Sequence, residues 1–146
     1  MKTRILIVDD EPEFVEVLSE RLGLRDYDVT TSSSGKDATE KLEKLNFDVV
    51  ILDVLMPDMD GIETLKKIKG LKPLTEVIML TGHATVETAI EGMKLGAYDY
   101  LMKPYKDDDL FSKIDKASAK KGEHEERIRE AKVKEIVSSP RSVLSS

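Results

Sequence analysis

Residues 5–10 read Ile-Leu-Ile-Val-Asp-Asp and residues 49–53 read Val-Val-Ile-Leu-Asp, two short apolar runs that each end in acid. The apolar residues are consecutive rather than alternating, as in a strand whose sheet is covered on both faces. Val29–Thr31, Val77–Leu80 and Tyr98–Met102 read as three further strands. Between them lie segments of helical period. Pro12 suits a first helical turn, and Phe14, Val15, Leu18 and Leu22 follow at helical spacing before Gly23. Ala38, Leu42 and Leu45 mark a second stripe, Ile62, Leu65 and Ile68 a third, and Val86, Ala89, Ile90 and Met93 a fourth ending near Gly96. The fifth uses Leu110, Ile114 and Ala117 after Asp107, Asp108 and Asp109, acids that suit the positive end of a helix dipole.

Five alternating strand–helix units predict an α/β fold with a parallel sheet, helices on both faces and right-handed crossovers. The expected architecture is a doubly wound, flavodoxin-like sandwich with strand order 2-1-3-4-5, which binds ligands at the carboxyl ends of the strands where the chain reverses between strands 1 and 3. Just past those ends stand Asp9 and Asp10 after strand 1, Asp53 after strand 3, Thr81 after strand 4 and Lys103 after strand 5.

The length of 146 residues allows one domain. An apolar fraction of 40% supplies an ordinary core, and 36% charged residues supply a solvated surface. The net charge of -6 is uneven: residues 1–119 carry 16 basic and 24 acidic residues, and residues 120–146 carry 7 and 5. An acidic body repels phosphate backbones and anionic lipid, so neither direct nucleic-acid binding nor membrane binding is expected of it. With no Cys and only His83 and His124, disulfides, thiol catalysis and a His-rich zinc site are out of reach. Both histidines read as solvent-facing. The N-terminus lacks a secretory pattern and no stretch reaches the ~20 apolar residues of a membrane span, which places the chain in the cytoplasm.

Residues 1–119 therefore read as the domain, and 120–146 as a charged helical extension or linker. In the latter, Glu123/Arg127, Glu125/Arg129 and Glu130/Lys134 have the i, i+4 spacing of an exposed helix. Gly122 costs about 1 kcal/mol inside a helix, so a break near Lys121–Glu123 is expected. The closing SSPRSVLSS, residues 138–146, reads as disordered.

Three carboxylates on one ligand-binding edge repel one another unless a cation sits among them or one is protonated. Oxygen-only ligation favours Mg²⁺, which keeps waters and takes its remaining ligands from phosphate oxygens. One carboxylate can then attack phosphorus and form an acyl phosphate. Asp53 is the candidate nucleophile, Asp10 a direct metal ligand, and Asp9 a second acid acting directly or through water. Lys103 and the Thr81 hydroxyl would hold equatorial oxygens, since phosphoryl transfer depends on positioning and electrostatics. Taken singly, each of these residues also fits an ordinary loop or turn.

In order along the chain, ILIVDDEP (5–12), VVILDVLMPDMDG (49–61), VIMLTGHA (77–84) and GAYDYLMKP (96–104) resemble the receiver domain of bacterial two-component response regulators. The resemblance covers about residues 3–118. It implies phosphoryl transfer from a phosphohistidine of a sensor kinase, or from a phosphotransfer protein, onto Asp53, with Mg²⁺ held by Asp10, Asp53 and the backbone carbonyl of Leu55. It also implies a switch in which Thr81 moves toward the phosphoryl group and Tyr100 turns inward, and a Lys103–Pro104 bond that is often cis. Catalysis would be confined to the domain's own phosphorylation and dephosphorylation. The readout would be the fourth helix, fifth strand and fifth helix, about residues 84–118, acting on an output domain or partner. A homodimer through that face or through the C-terminal helix is a further expectation. The wording of residues 81–105 is most similar to receivers of the nitrogen-regulatory class. Gly82 stands where an Ala is often found, and His83 near the site entrance could alter access of the hydrolytic water.

A binding or dimerisation module of the same fold that takes no phosphate is the alternative. A phosphatase of the aspartyl-phosphate type commonly has a second Asp two residues past its nucleophile, where this chain has Leu55. A flavin phosphate would be repelled by the acids of DDEPE, residues 9–13.

Overall fold

The computed structural model describes residues 2–56, 59–82 and 85–138. The chain runs β1 (Arg4–Val8), α1 (Pro12–Leu24), β2 (Asp28–Ser32), α2 (Gly35–Lys44), β3 (Val49–Leu52), α3 (Gly61–Leu71), β4 (Glu76–Thr81), α4 (Val86–Lys94), β5 (Asp99–Met102) and α5 (Asp107–Ser138). A two-stranded antiparallel ribbon, Leu55–Met56 with Met59–Asp60, occupies the connection from β3 to α3. The five main strands are parallel and ordered β2-β1-β3-β4-β5, as the alternation of strands and helices predicts.

The consecutive apolar runs explain the layering. Successive side chains of a strand face opposite ways. Leu6 and Val8 of β1 join Val50 and Leu52 of β3, Ala38 and Leu42 of α2, and Leu65 and Ile68 of α3 in one core. Ile5 and Ile7 join Val49 and Ile51, Leu18 and Leu22 of α1, and Leu110 and Ile114 of α5 in the other. Ile5 to Val8 are all fully buried, and each side chain contributes about 1.5–3 kcal/mol of transfer free energy. Register then sets the functional edge: Val8 pairs with both Ser32 and Leu52, so Asp9 and Asp53 leave the sheet side by side.

Helix α4 differs from the simplest reading of its stripe. Ala89 and Gly92 are its buried residues, while Val86, Ile90 and Met93 are exposed. A Cβ on Gly92 would lie 2.3 Å from the terminal methyl of Met79. The helix therefore sits too close to the sheet for large side chains between them, and its large apolar residues stay outside beside Tyr100.

The expected break near Lys121–Glu123 is corrected: α5 is continuous through Gly122 to Ser138. The reason lies in contacts with the amino-terminal edge of the sheet. Lys120 Nζ is 3.6 Å from Glu76 and lies over the Tyr98 ring, and Lys121 Nζ is 3.3 Å from Asp48 and 3.0 Å from Glu125. These contacts fix the turn before Gly122 and offset its poor propensity. The anticipated Glu123/Arg127 pair forms at 3.9 Å, but Arg129 pairs with Glu126 at 2.6 Å, since Glu125 is taken by Lys121. His124 is half-buried rather than solvent-facing. His83 and the Ser-rich end from residue 139 lie outside the described residues.

Candidate functional site

Asp9 and Asp10 follow β1 and Asp53 follows β3, and the parallel ladder carries their backbones to one edge. The Asp53 N–H donates to the Val8 carbonyl at 2.9 Å and the Asp9 N–H to the Ser32 carbonyl at 3.1 Å. One oxygen from each of Asp9, Asp10 and Asp53 lies within 4.8 Å of the others. Asp9 and Asp53 are only 3% and 4% exposed, and Asp10 is half-buried. Two unit charges at such a separation repel by about 3–4 kcal/mol at an effective dielectric constant of ~20.

Asp9 is partly compensated. Its Oδ1 accepts the Glu11 N–H at 2.9 Å, and its Oδ2 accepts from Lys103 Nζ at 3.0 Å. That ammonium also lies 3.5 Å from Glu11 and 4.0 Å from Asp53. Among the described residues this one ammonium is thus shared by Asp9, Glu11 and Asp53, less than one positive charge for each acid. An all-oxygen set of three converging carboxylates fits a hard divalent cation of the Mg²⁺ type.

Lys103 comes from the end of β5 and is anchored by its own N–H, which donates to the Thr81 carbonyl at 2.9 Å. The Lys103–Pro104 bond is cis. Thr81, the last residue of β4, is fully buried. Leu55 enters the ribbon two residues past Asp53. The ribbon closes where the Gly61 N–H donates to the Val54 carbonyl at 3.0 Å, and a Cβ on Gly61 would lie 2.4 Å from the Val54 backbone, so glycine alone permits the approach.

The sequence-predicted set divides in two. Asp9, Asp10, Asp53 and Lys103 converge, with Thr81 tied to Lys103 through the backbone. Tyr100 does not join them: it is 41% exposed and lines a groove with Val86, Ala89, Ile90 and Met93 of α4. Two neighbours of Lys103 escaped the sequence reading, Glu11 and Phe14, whose ring centroid lies 3.8 Å from Nζ. Helical side chains lean toward the N-terminus of their helix. An aromatic in the first turn of α1 therefore reaches back over the strand ends, a signal that was available in the position of Phe14.

Known proteins resemble this chain in sequence and in fold. The transcriptional regulatory protein ZraR of Escherichia coli is 44% identical over 115 residues, covering 79% of this chain and 26% of that protein. The regulatory protein AtoC of the same organism is 40% identical over 107 residues, covering 73% of this chain and 23% of that protein. The chain thus spans about a quarter of the length of these relatives. Among solved structures, a CheY-like response regulator receiver domain protein from Methanospirillum hungatei matches with a TM-score of 0.82 at 31% identity, covering 85% of this chain and 99% of that one. Among the described residues no helix is long and apolar enough to cross a membrane. A family model for the response regulator receiver domain matches residues 5–115, all of the sheet but its first residue with the greater part of its helical cover, and the chain belongs to that family.

Proposed function

We propose that this domain accepts a phosphoryl group on Asp53 from the phosphohistidine of a sensor kinase or phosphotransfer protein, in the cytoplasm. An Asp53 carboxylate oxygen attacks phosphorus, the bond from phosphorus to the imidazole nitrogen breaks, and the imidazole leaves with the electron pair. The product is an acyl phosphate, which water later hydrolyses to restore the carboxylate. Asp9, Asp10 and Asp53, with the backbone carbonyl of Leu55, are the residues that would hold Mg²⁺. The metal when bound neutralises charge developing on the phosphoryl oxygens. Lys103 pairs with one of those oxygens and the Thr81 hydroxyl donates to another, while burial of Asp9, Asp53 and Thr81 limits competing water. On this reading the protein catalyses only its own phosphorylation and dephosphorylation.

The observation that carries the proposal is the gathering of Asp9, Asp10 and Asp53 within 4.8 Å beside Lys103 Nζ. A site short of positive charge gains from a divalent ion, and the ion in turn needs the oxygens a phosphoryl group brings. New charge-assisted bonds to Thr81 and Lys103 would bias a two-state switch by the few kcal/mol such a switch requires. The exposed Tyr100 beside α4 is the aromatic that would turn inward, and α4, β5 and the first half of α5 the face that would be read by an output domain, a partner or a second copy. Incubation with Mg²⁺ and a small phosphodonor tests the proposal by intact mass. A single labile phosphoryl adduct is expected, absent from Asp53→Asn; the same adduct on that variant would refute the assignment.

A further inference from the structure

Lys103 is held by more than its acidic partners. Its ammonium sits over the face of Phe14, 3.8 Å from the ring centroid, while Asp9, Glu11 and Asp53 lie at 3.0, 3.5 and 4.0 Å. The side chain is 17% exposed, and Phe14 itself is half-buried, packed against the core that α1 shares with α5. A lysine stem is flexible and its ammonium attracts any nearby acid. Without a further restraint, this ammonium would settle on Asp9 and Glu11, away from Asp53. The electron-rich ring face attracts a cation without neutralising it. It thereby holds the charge between the β1 acids and Asp53 and leaves it free to pair with a new anion.

We propose that Phe14 is a positioning residue for Lys103, which through its ring face keeps the ammonium where a phosphoryl group on Asp53 can take it up. The inference rests on the phosphoacceptor reading above. It differs from a packing role, because an aliphatic residue of similar bulk would fill the same space on α1 but offer no face to the cation.

Wild type, Phe14→Leu and Phe14→Tyr compared under identical conditions separate the two roles. The rate of adduct formation is measured with Mg²⁺ and phosphoramidate. The Lys103 methylene proton shifts are read by NMR without the donor. Phe14→Leu should be phosphorylated roughly 3- to 10-fold more slowly, the range a partly desolvated cation–ring contact supports. Phe14→Tyr should stay within about twofold of wild type, since its ring face is retained. The upfield ring-current displacement of the Lys103 protons next to Nζ should be present in wild type and Phe14→Tyr and lost in Phe14→Leu. A wild-type rate in Phe14→Leu, or an equal loss in Phe14→Tyr, overturns the positioning role and leaves the phosphoacceptor reading intact. Absence of any adduct on the wild type removes that reading, and this inference with it.

Discussion

Lys103 and Asp9, each one residue past the last and first strands in sequence, meet at 3.0 Å with side chains 17% and 3% exposed. A pair so placed costs more to break than a surface pair, because the surviving carboxylate remains buried. Lys103→Met should lower the unfolding free energy by about 3 kcal/mol in metal-free buffer. Asp10→Asn should act oppositely and raise it by about 1 kcal/mol, since one of three mutually repelling charges is removed. Urea denaturation in EDTA measures both. A stabilising Lys103→Met would mean that the carboxylates are relieved by some other group.

On the proposed Mg²⁺-binding reading, the crowding of the three carboxylates should make stability depend on divalent ion. A ligand that binds only the folded state stabilises by about 2.7 kcal/mol at a hundred times its dissociation constant. Mg²⁺ should raise the wild-type melting temperature in proportion to the logarithm of its concentration, and chelation should reverse the shift. Asp53→Asn should lose most of the response, because it removes one of the three carboxylates grouped at the strand ends. An undiminished response in that variant would place the ion elsewhere.

The β1 and β3 runs and the acids after them were legible because both signals are local: a buried strand shows its apolar residues consecutively, and its end is where the polar residues begin. The face presented by α4 was not. Its spacing fits a core-facing stripe, yet the close approach over Met79 turns the small residues Ala89 and Gly92 inward and leaves Ile90 and Met93 outside. The continuity of α5 was hidden for a similar reason, since Lys120 and Lys121 are stabilised by Glu76 and Asp48, acids far away in sequence. Periodicity reports which residues share a face; what that face meets depends on other elements.

Three glycines should respond to alanine with different signs. At Gly61 the added carbon would meet Val54 backbone at 2.4 Å, which cannot yield without opening the ribbon, and a loss of about 2–3 kcal/mol is expected. At Gly92 the obstacle is the flexible end of Met79, so overpacking and the gain in helix propensity, about 1 kcal/mol, roughly cancel. Gly122 meets nothing within 4 Å and lies mid-helix, so alanine should stabilise α5 by about 1 kcal/mol. Hydrogen exchange or denaturant unfolding of the three variants gives the order, and a neutral Gly61→Ala would contradict the closeness of the ribbon.

Two tyrosines should titrate late. Burial, and then the neighbouring Asp107, raises the Tyr105 phenol above 10.0; burial, and then the hydrogen bond to Asp115, does the same for Tyr27. In the unfolded chain both ionise near the ordinary value. Between that value and the raised folded one, the folded state binds more protons, so stability falls as pH rises. Their contribution is complete below about pH 10 and is lost as pH climbs through the folded values. Absorbance titration should show two phenols ionising above the ordinary value. Tyr27→Phe should flatten the alkaline decline in stability, and an unchanged slope would remove Tyr27 as its source.

The clasp at the foot of α5 makes a last prediction. Glu76 is 3% exposed and its Oε2 has no hydrogen-bond partner among the described residues, so the Lys120 ammonium at 3.6 Å and Lys69 at 3.9 Å from Oε1 supply its compensation. Lys121 is 12% exposed and joins Asp48 to Glu125 across the turn that contains Gly122. Beyond this point the helix carries exposed Ile128, Val133 and Ile136. A segment of that length is marginal as an isolated helix. With Lys120 and Lys121 both changed to Met, amide exchange over residues 123–137 should therefore quicken by about tenfold or more, the loss expected when a short helix must nucleate alone. Exchange in β1 and β3 should change far less, because their protection comes from two cores that the substitutions leave intact. Equal acceleration everywhere would mean that the lysines support the whole domain rather than the extension. No acceleration would mean that the helix continues past Gly122 on its own propensity.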